Sequence, residues 1–139
     1  MSSRIDQVLY TASTHTTDGR DGAGRSSDGA LDVKLASPGS GRNGTNPEQL
    51  FAVGWSACFM GAMRHAASSR KIPFPPGVAV DAEVDLGHTD GAFLLRARLK
   101  ISAPGLDREV ATSLAQIAHE TCPYSKATRG NIDVTLNVI

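Results

Sequence analysis

The sequence predicts an α+β domain in the order β-β-β-α-β-β-α-β, with antiparallel sheets packed around a long central apolar helix that a second subunit helps to cover. Three observations carry this. Short runs alternate apolar and polar residues with a period of two, notably 31–35, 78–86, 93–101 and 132–139. One segment, Leu50 to Met63, holds fourteen uncharged, mostly apolar residues behind an Asn46-Pro47 helix start. A helix apolar on every side must be covered on every side. A single chain of 139 residues buries roughly two-thirds of its unfolded surface and has too little sheet for that, so a second subunit is implied.

Residues 5–17 are β-leaning, mixing Ile5, Val8, Leu9 and Tyr10 with threonines, and Asp18-Gly19 signals a turn. The stretch 19–44 holds seven of the fourteen glycines, and within it Leu31, Val33 and Leu35 share one face. We read 5–35 as an antiparallel meander followed by a flexible loop, SPGSGRNGTN, without a phosphate-binding pattern. The helix should run from Asn46 as N-cap to about Arg70 and stop before Pro73. A hairpin follows, in which pairing Leu86 with Phe93 keeps both apolar rows on one face and sets Glu83 opposite Arg96 and Asp81 opposite Arg98. A second helix begins near Asp107, carries Val110, Leu114, Ile117 or Ala118, and Cys122 on one stripe, and ends at Pro123. A last strand spans 132–139.

Composition narrows the function classes. Fourteen basic and fourteen acidic residues cancel, and no basic run exceeds two, so a nucleic-acid partner is not expected. The fourteen-residue apolar block is short of a bilayer span, and the first residues lack the apolar core of a signal peptide. The expectation is a single domain over 1–139 in the cytoplasm, without a membrane partner. There, two cysteines 64 residues apart seldom form a static disulfide and point instead to redox or metal chemistry.

Cys58 sits mid-helix and Cys122 at a helix end, both on faces that must pack inward, so the two can meet. A helix C-terminus disfavours a thiolate at Cys122. Burial alone raises the Cys58 pKa, so a reactive thiolate there needs a cation from a loop: Arg20, Arg42 or Arg129. Glu48, in the first turn of the helix, could orient such an arginine through a bidentate contact. It stands ten residues from Cys58, about 15 Å along the helix axis, so unless the helix breaks at Gly54 a glutamate serving Cys58 comes from a second copy. Two other classes compete: a non-enzymatic binding or structural domain with inert buried cysteines, and a zinc module built from Cys58, His65, His119 and Cys122. The latter spacing matches no usual zinc pattern, and no metal or cofactor is expected.

The blocks VLYTA (8–12), GRDG (19–22), TNPEQLFAVGWSACF (45–59) and CPYSKATRGNIDV (122–134) resemble the organic hydroperoxide resistance protein family, part of the osmotically inducible protein C superfamily. The resemblance covers nearly the whole chain in the same order. It implies a thiol peroxidase that forms an intertwined dimer of identical chains, reduces organic hydroperoxides and draws electrons from the dihydrolipoyl group of a lipoylated protein. It places the peroxidatic cysteine at Cys58, the resolving cysteine at Cys122, the arginine of the turn at Arg20 and the glutamate of the PEQ block at Glu48. Trp55 departs from the tyrosine often found there, and the 39–44 loop is short. Leu50, Phe51, Trp55, Phe59 and Met60 are the expected apolar walls for an alkyl chain.

Overall fold

The structure, a computed structural model, describes residues 4–139. Two compact units divide the chain, one ending at Pro47 and one beginning at Glu48.

The first unit is built on an antiparallel sheet of β1 (Thr14–Thr17), β2 (Ala23–Ser26) and β3 (Asp32–Lys34), in that order. The meander is therefore shorter than expected. Residues 5–13 pair with no strand, and Ile5, Val8, Leu9 and Tyr10 are exposed. A β-leaning composition makes a strand only where another edge receives it. Between β1 and β2 the chain makes a 3-10 turn, Gly19–Asp21. Glycine is obligatory just after it, since a Cβ on Gly22 would lie 1.7 Å from the Thr17 carbonyl oxygen.

The loop read as flexible is tethered. The Asp21 carboxylate accepts from the Ser37 amide at 3.1 Å and the Ser37 hydroxyl at 2.9 Å, and it pairs with Arg42. The Ser37 bonds, followed by Arg42, hold the Asp21 pKa below the usual carboxylate range. At the loop's base, Thr45 N–H donates to Lys34 O and Ala36 N–H to Thr45 O, both at 2.9 Å.

The second unit opens with helix α1, Pro47–Ser69, unbroken through Gly54. Its buried stripe is Trp55, Phe59, Met63, Ala66 and Ala67, while Val53 on the far side is 70% exposed. One chain thus covers one face of the helix. The C-terminus closes with Lys71 N–H on Ser68 O (3.1 Å) and Ile72 N–H on Ala67 O (2.9 Å), a Schellman pattern. It places Lys71 at φ 58°, a conformation that favours glycine. Lys71→Gly should therefore stabilise the fold by about 0.5–1 kcal/mol, read as a higher midpoint in urea with an unchanged slope.

Strands β4 (Ala79–Thr89) and β5 (Ala92–Ser102) form the expected hairpin in a different register. Leu86 faces Leu95, Glu83 faces Arg98 and Asp85 faces Arg96, two residues away from the pairing expected. The turn decides it. Asp90 and Gly91 both take positive φ, as a tight two-residue hairpin turn requires, whereas the expected register would force β-branched Thr89 into that role. A two-residue shift preserves the faces, so the apolar rows still coincide. On the polar face Arg98 donates to Glu83 (3.0 Å) and to both oxygens of Asp85 (2.8 and 2.9 Å).

The chain then forms α2 (Arg108–Thr121), α3 (Pro123–Thr128) and β6 (Asp133–Val138). Two expectations need correction. Pro123 ends one helix but also starts another, at a position where its missing N–H costs nothing. The second sheet is mixed rather than antiparallel: its order is β4-β5-β6, and β6 runs parallel to β5. The helical crossover through α2 and α3 returns the chain to the start of β5, which is what parallel pairing needs. The core of this unit joins the α1 stripe to Ala97, Leu99 and Ile101 of β5 and Leu114, Ala115 and Ala118 of α2.

Candidate active site

Helix α1 carries Cys58 one turn beyond Trp55, and the α2–α3 corner carries Cys122. Cys122 is both the C-cap of α2 and the N-cap of α3, with an extended backbone (φ −60°, ψ 124°). The two sulfurs are both free thiols and stand 3.3 Å apart, with Cys122 Sγ–H donating to Cys58 Sγ. Their exposure differs: Cys122 is fully buried, whereas Cys58 is half-buried. A reagent from solvent therefore meets Cys58 first.

The electrostatics at the pair run mostly against ionisation. Burial pushes the Cys58 thiol up, and the contact with the Cys122 thiol adds to the rise. The Tyr124 backbone N–H donates to the Cys58 sulfur and acts the other way. The short helix α3 thus turns an amide toward Cys58, a contribution missed when Cys122 is read as a plain helix C-terminus.

The corner is fastened to α1 by several contacts. Trp55 Nε1–H donates to Ser125 Oγ at 3.1 Å, and both residues are fully buried. The Tyr124 ring stacks on Phe51 at 6.4 Å between centroids, and Phe51 meets Trp55 at 5.4 Å. Within α3 itself, Thr128 Oγ1–H is shared between the carbonyls of Tyr124 (3.0 Å) and Ser125 (3.1 Å). The expected apolar walls divide accordingly. Trp55 and Phe59 are consumed by the core, while Leu50, Phe51 and Met60 keep part of their surface exposed.

Of the three candidate cations, Arg42 pairs with Asp21, and Arg129 donates to the His119 carbonyl of α2. Arg20 sits in the 3-10 turn of the first unit. Glu48 occupies the first turn of α1, ten residues and about 15 Å of helix rise from Cys58. His119 keeps its Nδ1 buried without a hydrogen-bond partner among the described residues, and burial, followed by Arg129, lowers its pKa. His65 is exposed, and among the described residues no three of His, Cys, Asp and Glu gather as metal ligands. No helix among them is long and apolar enough to cross a membrane.

Sequence reasoning found both sulfurs and missed Tyr124 and Ser125. The Cys-Pro pair was the available signal, since proline is favoured at the first position of a helix.

Known proteins share this fold and much of this sequence. A family model described as OsmC-like protein matches residues 39–137. The organic hydroperoxide resistance protein of Xanthomonas axonopodis pv. citri (strain 306) is 49% identical over 137 residues, covering 96% of each chain. The crystal structure of the organic hydroperoxide resistance protein OhrB of Bacillus subtilis superposes with a TM-score of 0.88 at 43% identity, over 95% of this chain and 100% of that one. A putative organic hydroperoxide resistance protein from Vibrio cholerae O1, with captopril bound in one of its active sites, gives 0.89 at 38% identity, over 97% and 95%. With its two thiols gathered at one corner of this shared fold, the chain belongs to the OsmC-like family and, within it, to the organic hydroperoxide resistance proteins.

Proposed function

We propose that this protein is a cysteine-based peroxidase that reduces organic hydroperoxides to alcohols. The observation that carries the reading is the sulfur pair at 3.3 Å, one thiol reachable and one buried behind it. The Cys58 thiolate attacks the terminal peroxide oxygen, the O–O bond breaks, and the alkoxide leaves as the alcohol after taking a proton. The Cys58 sulfenic acid then condenses with the Cys122 thiol, forming the disulfide and releasing water. A dithiol, which we assign to the dihydrolipoyl group of a lipoylated protein, reduces that disulfide by exchange and is itself oxidised to a cyclic disulfide.

Because burial raises the Cys58 pKa, the first step needs a positive charge at the sulfur. We assign that charge to Arg20 and its orientation to Glu48, so that both units serve one functional domain. The same guanidinium would steady the departing alkoxide. The assembly we infer is a homodimer, supported by the uncovered apolar side chains of Val53, Ile5, Val8, Leu9 and Tyr10. A cycle reset by thiols suits the reducing cytoplasm.

The partly exposed Leu50, Phe51 and Met60 favour an alkyl group over hydrogen peroxide. At about 0.8 kcal/mol per buried methylene, two methylenes correspond to tenfold or more in kcat/KM. The test is peroxide consumption with dihydrolipoamide, beside glutathione and thioredoxin systems. We expect turnover with the lipoyl dithiol and at least tenfold higher kcat/KM for tert-butyl hydroperoxide than for hydrogen peroxide. A protein whose two thiols survive excess organic hydroperoxide would instead be a binding domain with inert cysteines.

A further inference from the structure

The two cysteine segments are pinned together one turn away from the sulfurs. Trp55 precedes Cys58 by three residues, Ser125 follows Cys122 by three, and the indole Nε1–H of the first donates to the hydroxyl of the second at 3.1 Å. A buried indole N–H needs an acceptor, but any nearby oxygen could supply one. The location of this one matters. Helix α3 has six residues, too few to hold its own position, and it carries the Tyr124 amide that meets the Cys58 sulfur.

We propose that Trp55 and Ser125 are positioning residues for disulfide closure: their buried hydrogen bond holds the α2–α3 corner against α1 so that Cys122 stays within reach of oxidised Cys58. The proposal rests on the peroxidase reading for its place in the cycle. Shrinking the sulfur separation from 3.3 Å to a disulfide bond of about 2.05 Å takes a movement of about 1.2 Å, whereas a slipped α3 would need far more. In that step the sulfenic hydroxyl leaves with the Cys122 proton as water, and the S–S bond forms. The competing step is a second hydroperoxide oxidising the sulfenic acid to sulfinic acid and leaving as a second alcohol. Placement of Cys122 therefore sets the partition between a reversible and an irreversible fate.

The test compares Trp55→Phe, Ser125→Ala and the double variant, each equilibrated without peroxide in mixtures of oxidised and reduced dithiothreitol. Thiols are counted by alkylation and mass, and the fluorescence of Trp55, the one tryptophan in the chain, follows the same equilibrium in wild type and Ser125→Ala. Each single variant should lower the closure constant about tenfold, and the double should fall no further than either, because one bond is being removed. Under excess tert-butyl hydroperoxide the same variants should accumulate more Cys58 sulfinic acid than wild type. A bond serving only general stability would favour reduced and oxidised proteins alike. A closure constant within twofold of wild type in both single variants, or a hundredfold additive drop in the double, would therefore overturn the proposal. If wild type closes in dithiothreitol but ignores the hydroperoxide, the peroxidase reading falls while the positioning role stands.

Discussion

Replacing Cys58 with serine should abolish organic hydroperoxide reduction, whereas Cys122→Ser should consume about one equivalent of peroxide and then stall. The asymmetry follows from exposure and donors. Cys58 is the half-exposed sulfur and receives the Tyr124 amide; Cys122 is fully buried. Without Cys122 the Cys58 sulfenic acid has no resolving thiol, and excess peroxide should carry it to sulfinic acid, two oxygens heavier by mass. Full turnover by Cys58→Ser with any thiol reductant would remove the assignment. In wild type, peptide mapping after brief oxidation should find a Cys58–Cys122 link within one chain; a dominant covalent dimer on a non-reducing gel would contradict it.

The Arg20 assignment adds a pH dependence to the same step. Burial raises the Cys58 pKa above the ordinary thiol value, so without a cation the thiolate fraction, and the rate, should climb about tenfold per pH unit through neutrality. A guanidinium at the sulfur brings the plateau to lower pH. Arg20→Ala should therefore cost about 10²–10³ at pH 7 and recover part of that loss as pH rises. Parallel profiles for variant and wild type would take Arg20 out of the thiolate's environment.

The sulfur pair was legible because inward faces on two helices are a matter of periodicity, and both cysteines fall on such faces. The strands of the second unit were legible for the same reason. What failed depended on local geometry finer than periodicity. The hairpin register hung on Asp90-Gly91, a turn that fixes the pairing while leaving the faces unchanged. The parallel strand β6 hung on the crossover through α2 and α3, which alternation within 132–139 does not reveal. Helix α3 was hidden behind Pro123, read there as a stop although proline also starts helices. With α3 went the Tyr124 amide and Ser125, so the contacts that place Cys122 were beyond reach although Cys122 itself was not. The tether from Asp21 to Ser37 and Arg42 bridges 16 and 21 positions and leaves no periodic trace.

A mixed dimer should separate two ways of building the site. Glu48 and Cys58 lie ten residues apart on one helix that runs unbroken through Gly54. That is about 15 Å of rise, and a glutamate side chain cannot cover it to reach an arginine already at the Cys58 sulfur. A Glu48 that steadies this arginine is then supplied by the other subunit's helix. An antiparallel crossing of two such helices would deliver it, and would also cover the exposed Val53 side that one chain leaves bare. The experiment pairs one chain carrying Cys58→Ser with one carrying Glu48→Ala. If the residues are shared, one site of the heterodimer lacks both and the other keeps both, so about half of wild-type activity should return. If each chain completes its own site, every site lacks one residue, and the mixed dimer should stay as inactive as its parents, which would sink the shared arrangement.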